Sequence, residues 1–313
     1  MSLGFALTAL MAWAAVAPAP RGAAGARGEA RGLAFWTALA KSCEVPAGET
    51  AAGLVAEAVA FAGSPDPRWR DDVGYGVLAS CVYEKGRLSG AERRALVASL
   101  LPALREGIGE AGTPSVLRRS FSALDLSILA ARSGREPALD DAGYRALLDA
   151  ALGYLRDERD LRGFEPETSW IHATAHTADL LKFLARDRRL APGDQARVLD
   201  AVWAKATAPG APVFTHAEHE RLAAAVASVL RRDDLDAAVL GRWLERFPAL
   251  EKAVWEQSPP RPAALDAAQN ARDVLASLYV LLSLPAPGGA APGPAAAAAR
   301  DAVLATLGRI RRS

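Results

Sequence analysis

Beyond a Gly/Ala/Arg-rich stretch around Pro18 to Gly32, apolar and polar positions alternate with helical periodicity, and no run of alternating β-branched residues suggests strands. The pattern predicts helices over 33–43, 47–62, 67–85, 90–106, 114–132, 141–158, 169–187, 192–207, 216–231, 235–247, 263–283 and 295–311. Start signals support the boundaries. Asp66-Pro67 and Thr113-Pro114 each put a capping side chain before a proline at the first helical position, where its missing N–H costs nothing. Ser89 with Glu92, and Thr215 with Glu218, have capping-box spacing, and Gly86 and Gly134 supply stops.

The helices fall into pairs, and the second helices, starting at 67, 114, 169 and 216, recur about every 50 residues, close to the period of HEAT and armadillo repeats. Each pair leaves an apolar face that only the next can cover, so the expected fold is all-α, an α-solenoid of stacked hairpins. Ser258-Pro259-Pro260-Arg261-Pro262 interrupts the repeats. The expected organisation is a signal peptide and linker over 1–26, a helical-repeat domain over 27–258, and a C-terminal helical cap over 259–313 with a Pro/Gly/Ala-rich linker.

The 313 residues carry a formal net charge of +1 with no long basic run, which argues against a nucleic-acid partner. Leu3 to Ala17 is an uncharged apolar stretch, too short to span a bilayer comfortably but suited to a secretory h-region, and Ala15-Val16-Ala17 fits small-residue cleavage. The expected location is therefore the periplasm or the exterior, or the cytoplasm if that stretch is not a signal. In an oxidising compartment Cys43 and Cys81, on neighbouring helices, can form a bridge; the alternative is two buried thiols packing as small hydrophobes.

Several coincident motifs resemble a bacterial family named domain of unknown function 2785. They are Ser64-Pro65-Asp66-Pro67 with Arg70-Asp71 and Gly74-Tyr75, Arg119-Ser120-Phe121-Ser122-Ala123-Leu124, and Leu161-Arg162-Gly163. Two more are Trp170-x-His172-x-x-x-His176-x-x-Asp179-Leu180 and Phe214-Thr215-His216-x-Glu218-x-Glu220-Arg221-Leu222. The resemblance covers roughly residues 55 to 250 and implies an all-helical fold without an activity. His219 departs from it, standing where the family pattern has an acidic residue.

All four histidines fall within Trp170–Asp179 and Phe214–Arg221. On one helix His172, His176 and Asp179 would lie within an arc of about 60°. Imidazole and carboxylate suit zinc, so His172, His176, Asp179 and His216 form a candidate divalent-metal set. Ala173 stands where the zincin motif needs its general-base glutamate, which rejects that class. Phosphate loops, nucleophile elbows and dinucleotide fingerprints are absent. Trp170 and Phe214 read as hydrophobic staples, and Glu218 as the capping partner of Thr215.

Two functions remain. One is a protein- or peptide-binding module with a concave groove lined by Asp71, Arg119, Trp170, His172, His176, Asp179, His216, Glu220 and Arg221. The other is a metal-dependent hydrolytic enzyme in which His172, His176 and Asp179 hold the ion and His216 or Glu220 completes its shell or acts as base. Whether the chain is an enzyme is left open.

Overall fold

The computed structural model describes residues 30–285 and 291–310. These are all-helical apart from one antiparallel ribbon of two-residue strands. The helices are α1 (Leu33–Ser42), α2 (Ala51–Ala58, tightening to a 3-10 turn over Val59–Gly63), and α3, which runs through Arg68–Tyr75, Gly76–Leu78 and Ala79–Glu84. Next come α4 (Gly90–Leu100, followed by a 3-10 turn over Pro102–Arg105), α5 (Ser115–Ser133) and α6 (Asp141–Asp157). The strands β1 (Phe164–Glu165) and β2 (Ser169–Trp170) precede α7 (Ala173–Ala185), α8 (Pro192–Ala206), α9 (Glu218–Leu230), α10 (Ala237–Trp255), α11 (Pro262–Ser283) and α12 (Pro294–Ile310).

Local signals explain many of these boundaries. The capping box at Ser89 is formed in full, the Ser89 hydroxyl accepting from the Glu92 N–H and the Glu92 carboxylate accepting from the Ser89 N–H. Gly86, in the left-handed region at φ 59°, ends α3. Helix α10 runs on past Phe247, where the sequence pattern ended it, and contains Pro248. Trp243, Phe247, Glu251 and Val254 continue one buried stripe, so packing outweighs the backbone hydrogen bond that proline removes. All of α3 except its central Gly76–Leu78 is wound as π-helix, with an extra residue per turn that re-aims its side chains.

Packing follows chain order. Helices α5, α7, α9 and α11 contact one another in succession, and α3 lies against α5. Helices α6, α8 and α10 form a second such succession, and α4–α5, α6–α7, α8–α9 and α10–α11 pack as pairs. Helix α12 packs on α10 and α11, burying Ala296, Ala299 and Val303. One contiguous apolar core runs from Trp36 to Ile310. Hydrogen bonds between helices tie it together: the Tyr144 hydroxyl of α6 donates to the Leu184 carbonyl of α7, and the Trp243 indole of α10 to the Leu199 carbonyl of α8.

Cys43 and Cys81 are joined by a disulfide between the end of α1 and the last part of α3, which selects the bridged alternative. The bond is compatible with a non-cytoplasmic location. The stretch Leu3 to Ala17 lies outside the described residues, and among the described residues no helix is long and apolar enough to cross a membrane. With 38 residues between its ends, the bridge stabilises by about 4 kcal/mol in the chain-entropy estimate. Replacing both cysteines by serine is expected to lower the urea midpoint accordingly. An unchanged midpoint would show that the bridge contributes nothing.

Candidate functional site

The segments carrying the histidines meet at the start of α7 and α9, but neither helix begins where the sequence pattern put it. The chain from Arg162 to His172 folds back as the β1–β2 ribbon, and α7 starts only at Ala173. His172 is its N-cap in the left-handed region (φ 49°), and Ala217 takes the same role for α9 (φ 66°). With Ser169 (φ 62°), three of the four non-glycine residues at positive φ among the described residues lie here. Side chains rarely adopt this conformation, and it persists only where surrounding contacts enforce it.

Those contacts are visible. The fully buried Arg70 of α3 donates to the Thr168 carbonyl at 2.6 Å, the Trp170 carbonyl at 3.2 Å and the Ser64 carbonyl at 2.9 Å, and its guanidinium lies 4.7 Å from the Phe121 ring. The Gly163 carbonyl accepts from the N–H groups of both Ile171 and His172. Gly163 sits so close to the other segment that a Cβ there would lie 2.3 Å from Glu218 Oε1 and 2.7 Å from His216 Cβ. His172 Nε2 donates to the His216 carbonyl at 2.7 Å, and the Glu218 carboxylate accepts from the His216 N–H. Glu218 therefore spans to His216 rather than forming the expected capping box with Thr215, whose hydroxyl instead meets His216 Nδ1 at 3.1 Å.

His176 is buried one turn into α7. Its Nδ1 lies 2.8 Å from Ser120 Oγ, and the Ser120 hydroxyl donates its one hydrogen to the Ile171 carbonyl. Nδ1 must then be the donor, leaving Nε2 unprotonated in the neutral ring. Burial, with the neighbouring His172 adding to it, lowers His176 to about 3. The Asp179 carboxylate is divided between two cations, Lys182 Nζ at 2.6 Å and Arg221 Nη1 at 2.8 Å.

Among the described residues no group of three or more His, Cys, Asp and Glu side chains is placed to hold a metal ion. Part of the candidate zinc set is engaged otherwise. His172 lies outside the helix, so the common face expected for His172, His176 and Asp179 is not built; one ring donates to a carbonyl, and the carboxylate is held by cations. The residues present do not fit a metal.

Other placements differ from the sequence reading. Arg119, expected on a groove wall, has no solvent exposure; it grips the Glu158 carboxylate with two donors and bonds the Glu106 and Gly107 carbonyls. Asp71 pairs with Arg70. Glu220 is exposed in the first turn of α9 but, His216 being outside that helix, does not share its face. Phe214 is buried, and its N–H donates to Asn270 of α11. Trp170 is no staple: it is 42% exposed and packs edge-on against Phe164, itself 39% exposed, and 4.4 Å from the His172 ring. The Phe164 ring also stacks over His216 at 6.2 Å.

Two contributors were absent from the sequence reading. Phe164 carries no motif and gains its place only through the ribbon. Asp125, in the middle of α5, is buried with Oδ1 unbonded, and desolvation raises it to about 8, the Arg118 charge offsetting only part of the rise. Its place inside the run Leu124-Asp125-Leu126 on a core-facing helix is the signal that could have found it. Tyr75 of α3 lies within electrostatic range of Asp125, Asp179 and Arg221.

The fold and this edge define an all-helical protein whose exposed aromatic ribbon is locked onto two strained helix starts. Residues 104–280 match the family described as protein of unknown function, domain of unknown function 2785, and the chain belongs to that family. The match starts later and ends later than the motif-based span, so the Ser64–Tyr75 motif lies outside it. No curated protein and no solved structure matches the chain.

Substituting Gly163 by alanine is expected to destabilise the protein by about 1–3 kcal/mol, because Glu218 and His216 must give way; calorimetric unfolding measures this. The two shifted groups predict a bell-shaped stability profile. Asp125 stays protonated in the fold up to about 8 while the unfolded chain releases that proton above about 4, so stability falls as pH rises across that window. His176 stays neutral down to about 3 while the unfolded imidazole gains a proton below about 6.5, so stability also falls as pH drops through that window. Asp125→Asn should remove the alkaline-side loss, by at least about 2 kcal/mol between pH 4.5 and 8 in urea unfolding. Parallel profiles for wild type and variant would contradict the assignment.

Proposed function

We propose that the chain is an exported α-solenoid that binds an extended peptide along the face built by α3, α5, α7 and α9, with Trp170 as its anchor. The carrying observation is the exposed Phe164–Trp170 pair on a ribbon fixed from behind by buried Arg70. Large aromatic side chains held rigidly at a surface offer contact area at little conformational cost and are favoured anchors of binding. Strain at Ser169, His172 and Ala217 supports the same edge, since backbone held in sparsely populated regions concentrates at functional sites. Tyr75 and Arg221 extend the surface along the neighbouring helices, both partly exposed.

The successive contacts α5–α7–α9–α11 and α6–α8–α10 support the solenoid reading, with α12 as its cap. The disulfide and the apolar N-terminal stretch support export. The ligand class is a peptide presenting an apolar or aromatic side chain to Trp170, its backbone meeting the polar groups of His172, His216 and Arg221.

Panning a displayed peptide library against the full chain is the direct test. Enriched peptides should carry an aromatic or large aliphatic residue, and Trp170→Ala should weaken them by about tenfold or more. Arg145→Ala, on the exposed side of α6, should leave binding unchanged. Peptides that bind Trp170→Ala as tightly as wild type, or a library yielding no specific binder, would overturn the proposal.

A further inference from the structure

A concavity on the layer of α6 and α8 is built by residues other than those of the ribbon edge. Between the end of α6, the following loop and α8 there is a cleft of about 610 Å³, within the size range of small-molecule sites. Leu155, Leu161, Ala204 and Ala208 line it with apolar surface, and Arg159 and Lys205 bring two cations to it.

The other charges in the cleft are already matched. Arg197 pairs with Asp149 and Asp194, Asp200 with Arg246, and Arg156 with Asp157. The Glu158 carboxylate is taken by the two donors of Arg119 and by the Asp160 N–H. Lys205 is 5% exposed and donates to the Glu158 carbonyl at 2.9 Å, yet no carboxylate among the described residues pairs with it. Burial accordingly lowers its ammonium to about 8. Arg159 is exposed and has no hydrogen-bond or ion-pair partner among the described residues. The nearby Glu158 and Asp157 charges offset only part of the cost of burying this ammonium, to which Arg159 adds, and an anion in the cleft would offset more of it.

We propose that this cleft binds a small carboxylate carrying an apolar body, the carboxylate bridging Arg159 and Lys205 and the body lying on Leu161, Ala201, Ala204 and Ala208. One guanidinium and one ammonium put a donor against each oxygen of a carboxylate. Glu158 and Asp157 already offset part of the Lys205 charge, which leaves less than two positive charges to match and suits a singly charged carboxylate better than a dianionic phosphate. The apolar lining selects against small hydrophilic anions, which would leave it uncovered.

Titration calorimetry of the full chain with sodium octanoate, octyl phosphate and octan-1-ol tests this. Octanoate should bind saturably at one site, and octan-1-ol at least about tenfold more weakly. Arg159→Glu, at an exposed position, should weaken octanoate by about tenfold or more, and Ala204→Trp should block it sterically. Lys205→Met should have the same effect provided its circular-dichroism melt is intact; if that variant does not fold, the other two decide. Absent saturable octanoate binding, equal binding of octan-1-ol, or unchanged affinity in Arg159→Glu and Ala204→Trp would each overturn the site. Tighter binding of octyl phosphate than of octanoate would overturn the carboxylate assignment.

Discussion

Buried arginines donating to loop carbonyls hold this structure together. Arg70, Arg93 and Arg119 are essentially without solvent exposure, and each reaches another segment: α3 to the ribbon, α4 to the turn after α5, and α5 to the loop before it and the end of α6. Helix ends and connecting loops present carbonyl groups without intrahelical partners. A guanidinium, with five donors in a fixed plane, can satisfy several at once. Hydrogen bonds to a charged group are each worth about 1.5–3 kcal/mol, but losing the arginine would also leave buried acceptors unmet. Beyond the C-terminal ends of α5 and α7, where Arg93 also acts, Arg189 and Arg232 do the same for neighbouring loops, Arg232 reaching the Ala185, Asp187 and Leu190 carbonyls.

The strained edge follows from that constraint. Arg70 fixes Thr168 and Trp170, Gly163 allows the ribbon to lie against Glu218 and His216, and both helix starts are driven into left-handed backbone. The side chains made available there are aromatic, while the ionisable ones are neutralised by partners. Asp179 between two cations and His176 bonded to Ser120 are positioning elements, which moves the functional reading from metal chemistry toward surface recognition. The cleft beside α8 shows the reverse condition, with two cations that no carboxylate among the described residues hydrogen-bonds.

Local and tertiary signals can be separated residue by residue. The Ser89 capping box and the left-handed Gly86 form as read, because each depends on a few adjacent residues. The Thr215–Glu218 box has the same spacing and does not form, because Glu218 is drawn to the His216 N–H beside Gly163. Arg119 was legible as important through its motif, yet its role as a buried tie depends on Glu158, 39 residues away. Trp170 was legible as belonging to the site, but its exposure depends on Phe164 and on Arg70, 100 residues away.

The sequence by itself determined the helical class, most helix boundaries, the family, and the two segments where polar chemistry concentrates, since periodicity, caps and motifs are written in neighbouring residues. Tertiary structure alone decided which helix starts are strained, whether the cysteines pair, which arginines are buried, and that the histidine segments present an aromatic surface rather than a metal centre. These outcomes depend on partners dozens of residues apart, whose meeting is set by the packing of whole helices and by the need to satisfy buried polar groups.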